Sequence, residues 1–150
     1  VGTAISGIDI GNATDLPTIS FNGANFPTTG TFTGTLTGMT AATTGTIYYE
    51  VRRGLCTLYI VANITGTSNT TAMTMTGLPA AVQPVTEIYA PCIVADTGNA
   101  TASMANVSGS TIYFTVPLVS GASVVSSSTN FTNSGTKGIL TGWTMTYPLK

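Results

Sequence analysis

GTIYYEVRRGLCTLYI (residues 45–60) carries an apolar or aromatic side chain at every second position on both sides of its RRG triplet. The alternating positions are Ile47, Tyr49 and Val51, then Cys56, Leu58 and Ile60. Successive side chains of a β-strand point to opposite faces, so a period of two indicates a strand that is buried on one face only. We therefore expect half-buried antiparallel strands here.

The same alternation continues along the chain from residue 30 onward. It extends the second run to Ala62 and Ile64, and it predicts further inward faces made of Phe32 and Leu36; Met73 and Met75; Ile88, Ala90, Cys92 and Val94; and Ile112, Phe114, Val116 and Leu118. Clusters of Gly, Asn, Asp and Ser at 65–70, 96–99 and 107–110 predict the turns between strands. Short strands separated in this way predict an all-β antiparallel fold, a β-sandwich or jelly-roll-like barrel.

Two prolines and the last segment refine this prediction. Pro91 interrupts an alternating run, which indicates an edge strand or a bulge, and Pro117 is expected to end its run. In the closing segment, one predicted face carries Ile139, Trp143, Met145 and Tyr147. Trp143 is thus expected in the core or at the axis of a trimer instead of in an exposed sugar platform, and Lys137 in a preceding turn.

The amino-acid composition favours a protein that works within an assembly and argues against a nucleic-acid-binding or membrane-spanning protein. Charged residues make up 6% of the chain, against about 25% in ordinary domains, and threonine supplies 31 of the 150 residues. A net charge of −1 gives a free monomer little self-repulsion, so we expect much of the polar surface to meet other chains in an assembly. Four basic residues are too few for a nucleic-acid groove, and no apolar stretch is long enough for a membrane helix.

The chain has few side chains that are suited to catalysis or metal binding. The chain has no histidine, which removes the commonest general base and the commonest metal ligand. Glu50 and Glu87 could pair across a sheet as glycosidase carboxylates do, but an ion pair of Glu50 with Arg52 or Arg53 is the alternative. Cys56 and Cys92 lack the spacing of a zinc site and are expected to be buried free thiols. We expect no enzyme activity, no metal and no cofactor.

Residues 1–29 differ from the rest of the chain. They contain two prolines and only short apolar clusters, which indicates an extended arm or linker leading into a β-domain over residues 30–150. A plain N-terminal strand is the alternative. The absence of an initial methionine leads us to expect a processed chain or a piece of a longer one.

Candidate contact residues fall into two sets. Four tyrosines lie on the outward faces of their strands and are interface candidates: Tyr48, Tyr59, Tyr89 and Tyr113. The predicted loop tips supply candidate ligand-binding residues: Ser68, Asn69, Asp96, Asn99, Ser108 and Ser110.

Four segments resemble, in order, recurring motifs of β-domains in tailed-phage virion proteins. They are GTFTGTLTG (30–38), GTIYYEVRRG (45–54), TMTGLPAAV (74–82) and the close SSTNFTNSGTKGILTGWTMTYPLK (127–150). The second segment departs from the family pattern, because Leu55 or Cys56 stands where a second aromatic residue is expected. The resemblance covers about residues 30–150.

The resemblance implies a non-catalytic β-sandwich or jelly-roll-like domain on the exterior of a virion, assembled as a homotrimer with other virion proteins. The first hypothesis is a fibre tip that binds a host-surface glycan or protein. The alternatives are a capsid decoration or head-fibre protein that clamps the capsid through residues 1–29, and a carbohydrate-binding module.

Overall fold

The structure, a computed structural model, describes the backbone of residues 28–120, 123–127 and 130–149 and the side chains of 28–116 and 130–149. The described backbone forms eleven strands and one short 3-10 helix at Ala80–Val82. The strands are β1 (Thr28–Thr37), β2 (Thr43–Arg52), β3 (Leu55–Tyr59), β4 (Ile64–Thr67), β5 (Met73–Thr76), β6 (Ile88–Asp96), β7 (Asn99–Ser108), β8 (Thr111–Ser120), β9 (Ser123–Ser127), β10 (Thr136–Ile139) and β11 (Thr144–Pro148).

Ten of these strands follow one another in a single sheet, in the order β11-β3-β2-β1-β5-β8-β7-β6-β10-β4, and β9 pairs with β8 outside this path. Neighbouring strands are antiparallel. The sheet curls, since β11 approaches β6 and β4 approaches β2. The predicted all-β antiparallel fold is confirmed, whereas the sandwich, the jelly roll and the trimer stay predictions.

Two tight hairpins set the register of this sheet. Arg53 and Gly54 connect β2 to β3 with φ angles of 52° and 76°, and Thr97 and Gly98 connect β6 to β7 with 52° and 82°. Two successive positive φ angles match the right-handed twist of the flanking strands, so such turns favour a regular ladder. They fix which outward side chains become neighbours.

The inward faces meet in one core, largely as the alternation predicts. Trp143 is 3% exposed, and its ring packs edge-on against Phe114 at 6.2 Å between centroids. Tyr147 is 1% exposed and donates its hydroxyl proton to the carbonyl oxygen of Val82 at 2.7 Å. The prediction that Trp143 is a core residue is confirmed, as is the burial of Ile139 and Met145.

The run predicted from Leu55 to Ile64 is not one strand. β3 ends at Tyr59 and β4 begins at Ile64, so Ala62 is exposed and not inward as predicted. Between the two strands, the Asn63 side-chain oxygen accepts hydrogen bonds from the backbone N–H and hydroxyl of Thr141, at 2.6 and 2.8 Å. These bonds tie the chain between β3 and β4 to the turn that precedes β11.

The two prolines behave differently from each other. β6 pairs with β7 along its whole length but with β10 only at Ala95, so Pro91 does lie on a largely open edge among the described strands. Pro117 does not end its strand, because β8 continues to Ser120. The last β7–β8 pair precedes Pro117, which therefore has a strand partner only on its β9 side.

Two further expectations were wrong or incomplete. Lys137 is not in a turn but inside β10, where it is fully buried. β7 was not predicted as a strand, because its inward residues include the small Ser103 and Ala105 and give little hydrophobic signal. Residues 1–27 lie outside the described residues, and β1 begins at Thr28, two residues before the predicted domain boundary.

Trp143→Ala should lower the free energy of unfolding by about 3–5 kcal/mol, because it leaves a large cavity beside Phe114. Urea unfolding followed by circular dichroism measures this. Val61→Ala is the matched control, since Val61 is 61% exposed and should change stability by no more than about 0.5 kcal/mol. Equal losses for the two variants would contradict the core assignment.

Stability should fall at alkaline pH through the Cys56 thiol. Burial raises the pKa of Cys56, although a hydrogen bond with Tyr147 opposes the shift. The unfolded chain releases this proton at about pH 8.5, while the folded chain still holds it, so stability is lost as the pH rises above that value. Urea unfolding at pH 7.5 and 9.5 should show a smaller loss for Cys56→Ala than for the parent; equal losses would refute this.

Candidate binding surfaces

One candidate surface lies on the outward side of β2, β3 and β11, and we call it the tyrosine–glutamate face. It is made of Tyr48, Glu50, Arg52, Thr57, Tyr59 and Thr146. Tyr48 and Tyr59 are directly opposite each other in the β2–β3 ladder. Their rings stack at 5.3 Å between centroids with planes 18° apart, and Tyr59 remains 38% exposed.

A polar recess adjoins the two tyrosines on the same face. Its volume is ≈ 420 Å³, and it is lined by Glu50, Arg52, Arg53, Leu55, Thr57 and Thr146. The Thr57 and Thr146 hydroxyls are 2.9 Å apart and share a hydrogen bond. Glu50 follows Tyr48 by two residues in one strand, which places the two side chains about 7 Å apart along the same face.

Glu50 has no partner of its own within the described part of the chain. It makes no hydrogen bond and no ion pair there, so the expected pairing with Arg52 or Arg53 is wrong. It does not meet Glu87 either, because Glu87 precedes β6 and accepts a hydrogen bond from the side-chain amide of Asn106. The Glu50 carboxylate is thus available to an incoming donor.

A second candidate surface lies on the outward side of β6, β7 and β8, and we call it the apolar face. Its members are Tyr89, Pro91, Ile93, Ala102, Met104, Asn106 and Tyr113. Tyr89 and Ile93 are 60% and 57% exposed, and none of the seven carries a charge. A shallow recess of ≈ 450 Å³ runs beside Pro91, Ile93 and Met104.

The four predicted tyrosines therefore divide between two surfaces. Tyr48 and Tyr59 meet each other, whereas Tyr89 and Tyr113 lie on either side of Asn106 in the ladders of β7. All four point outward, as the alternation predicts, and their role in an interface stays a prediction.

The three predicted ligand loops do not form one site, although 65–70 and 96–99 meet at Thr132, which bonds to both Ser68 and Asp96. Turns 96–99 and 107–110 lie at opposite ends of β7, about 30 Å apart for a ten-residue strand. Within them Asn99, Ser108 and Ser110 are exposed. Asp96 is half-buried, and its carboxylate accepts hydrogen bonds from the backbone N–H and hydroxyl of Thr132, at 3.1 and 3.0 Å.

The third predicted loop, residues 65–70, belongs partly to β4. Ser68 is 5% exposed and donates its hydroxyl proton to the carbonyl oxygens of Thr132 and Thr70, at 2.6 and 3.1 Å. It is therefore a buried anchor and not the exposed loop-tip residue that was expected. Asn69, its neighbour, is exposed.

Lys137 is buried in β10 and contacts the segment between β4 and β5. Its ammonium group donates to the carbonyl oxygens of Thr70 and Ala72, at 2.6 and 2.8 Å, and lies 5.4 Å from the centre of the Phe131 ring. Burial lowers the pKa of Lys137, and the nearby Asp96 carboxylate acts in the opposite direction. The lysine thus joins β10 to the segment after β4, with its ammonium group bonded to two carbonyl oxygens, placed near an aromatic ring and attracted by the Asp96 carboxylate.

The closing turn between β10 and β11 borders a further recess of ≈ 310 Å³, which includes Cys92, Ile93 and Trp143 in its lining. The indole N–H of Trp143 is buried, and its interaction with the Cys92 sulfur opposes the rise that burial causes in the pKa of that thiol. Both cysteines are free, with Cys56 buried and Cys92 half-buried.

The described residues contain no group of three or more His, Cys, Asp or Glu side chains placed to hold a metal ion. No described helix has the length and apolar character needed to cross a bilayer. A scan against protein-family models and a search of curated proteins found no match to this chain.

Sequence reasoning missed the polar recess, although part of its signal was present. Tyr48, Glu50 and Arg52 stand at every second position of one run, as do Thr57 and Tyr59 of the next. Each run therefore puts its own polar and aromatic residues on one outward face. Which residues of the two runs become neighbours depends on the Arg53–Gly54 turn, which the alternation alone does not define.

Lys137→Ala should lower the free energy of unfolding by about 2–5 kcal/mol, because it leaves a cavity and removes the donor from two carbonyl groups. Arg52→Ala is the control, since exposed Arg52 makes no ion pair in the described structure and should change stability by about 0.5 kcal/mol at most. Urea unfolding measures both. A Lys137 variant as stable as the control would show that the buried ammonium is not structural.

Proposed function

We propose that this chain is a non-enzymatic domain of a bacteriophage virion, a fibre-tip domain that attaches to the host surface as a homotrimer. The observation that carries this proposal is the apolar face. An exposed, uncharged strip of large side chains across three strands is typical of a surface that another protein chain covers. The motif resemblance and the nearly chargeless composition support the same assignment.

A second copy of the chain is the partner that best fits the apolar face. With a net charge of −1 and no charge among the members of this face, copies of the chain can approach without appreciable repulsion. Tyrosine, methionine and isoleucine supply apolar area, and the Tyr89 and Tyr113 hydroxyls can still reach water or polar groups at the margin. The edge of β6 that Pro91 interrupts belongs to the same surface.

Adhesion follows from trimerisation on a rigid scaffold. Each subunit needs to hold a host receptor only weakly, because three linked sites multiply the overall affinity. A sheet with tight hairpins keeps those sites at fixed positions. No cofactor or metal takes part in this function.

Ile93→Lys should disrupt the trimer, because it places a charge within the apolar face at a residue that is 57% exposed. Sedimentation equilibrium should give a trimer for the parent and a monomer for the variant, with unchanged far-ultraviolet circular dichroism. Val61→Lys, at a residue of similar exposure outside this face, should remain a trimer. A monomeric parent, or a trimeric Ile93→Lys variant, would refute the assignment of this face.

Removal of residues 1–27, which leaves β1 intact, separates the fibre-tip proposal from capsid decoration. A truncated domain that still binds host cells supports the fibre tip. A full chain that binds capsids, a truncated chain that does not, and no cell binding by either would establish decoration instead. Glycan binding together with a monomeric state would favour a carbohydrate-binding module.

A further inference from the structure

We propose that the tyrosine–glutamate face binds a pyranose sugar of a surface glycan. This deepens the proposed adhesive function and rests on it: it moves the receptor site from the loops to the outward side of β2, β3 and β11. The juxtaposition that carries it is a stacked tyrosine pair next to an unpaired carboxylate, two arginines and a hydroxyl pair.

The tyrosines supply an apolar platform. A pyranose ring has faces of C–H groups that pack on aromatic rings, while its hydroxyl groups radiate from the edge. Tyr59 is 38% exposed, and the stacked Tyr48 supports it from the neighbouring strand. Because both side chains are held by a regular ladder, little conformational entropy is lost when a ligand binds.

The recess supplies the polar groups that orient the ring. Glu50 accepts hydrogen bonds only, Arg52 and Arg53 donate only, and the Thr57–Thr146 hydroxyls do both. Sugar hydroxyls are donors and acceptors, so neighbouring hydroxyls can bind the carboxylate and a guanidinium together. The spacing of about 7 Å from Tyr48 to Glu50 lets one sugar contact both the platform and the recess.

The state of Glu50 favours a ligand over a purely structural role. Glu50 is half-buried and lines the same recess as Arg52 and Arg53, yet no hydrogen bond or ion pair holds it in the described structure. A structural role would be expected to leave it in an ion pair. Unpaired charges that line one recess can instead each bind a hydroxyl group of a neutral polar molecule.

The two other outward tyrosines provide an internal comparison. Tyr89 and Tyr113 are 60% and 41% exposed, but the residue between them, Asn106, already donates its amide to Glu87. Glu87 is the one charged residue in contact with a member of that face, and its contact with Asn106 already occupies it. The apolar face therefore lacks the groups that would orient a sugar, so exposed tyrosine alone does not define the site.

The test uses the full chain, a panel of immobilised pyranose glycans, and host cells with or without mild periodate, which cleaves sugar diols. Saturation-transfer NMR then measures the affinity for the glycan that binds best. Tyr59→Ala and Glu50→Gln should each weaken binding about tenfold or more. Tyr59→Phe should bind within about threefold of the parent, and Val85→Ala, at a residue that is 75% exposed and outside both faces, should retain glycan binding.

The outcomes distinguish failure of the sugar site from failure of the adhesive function. Cell binding that periodate abolishes, together with weaker glycan binding by Tyr59→Ala and Glu50→Gln, supports the sugar site. Competition by released polysaccharide then shows whether soluble glycan binds as well as anchored glycan. Cell binding that resists periodate and both face variants overturns the sugar site and leaves the adhesive function standing. Glycan binding that depends on Tyr59, with no binding to cells, supports the site and overturns the adhesive function. Absence of all binding overturns both.

Discussion

The structure depends on closing the curled sheet over one set of inward side chains. β11 and β6 approach each other, and Trp143 packs there against Phe114 while the Tyr147 hydroxyl bonds to the Val82 carbonyl. Once these residues are buried, the pleat leaves every intervening side chain of those strands on the outside. A slip of one residue would exchange the two faces, so the packing that stabilises the core also defines the surface.

The surface of the protein is unusual because only 6% of the residues in the chain are charged. Threonine hydroxyls cover much of it and pair across strands, as Thr57 does with Thr146 and Thr37 with Thr74. Against this background two regions differ: the tyrosine–glutamate face, which combines aromatic, acidic and basic groups, and the apolar face, whose seven members carry no charge. We assign receptor binding to the first and contact between copies of the chain to the second. They lie on separate strands, so a trimer can leave its sugar sites open.

The sequence predicted the strand class and most inward residues, because alternation reports directly on a half-buried sheet. It could not give the register, so the meeting of Tyr48 with Tyr59 depended on a turn whose φ angles the pattern does not reveal. β7 was missed because its inward residues are small, and a run that looks continuous in the sequence is divided into β3 and β4, between which Asn63 bonds to Thr141. Lys137 and Ser68 were misplaced since their burial depends on carbonyl groups supplied from distant parts of the chain.

The central claim is that two sheet faces, and not the loops, make the contacts of this protein. Hydroxyl-radical footprinting of tyrosine oxidation in the assembled full chain, with and without a bound glycan, tests it most directly. Without glycan, Tyr89 and Tyr113 should be protected relative to the Ile93→Lys variant, while Tyr59 stays reactive; added glycan should then protect Tyr59. Reactive Tyr89 and Tyr113 in the assembly, or a Tyr59 that glycan leaves unprotected, would contradict the account.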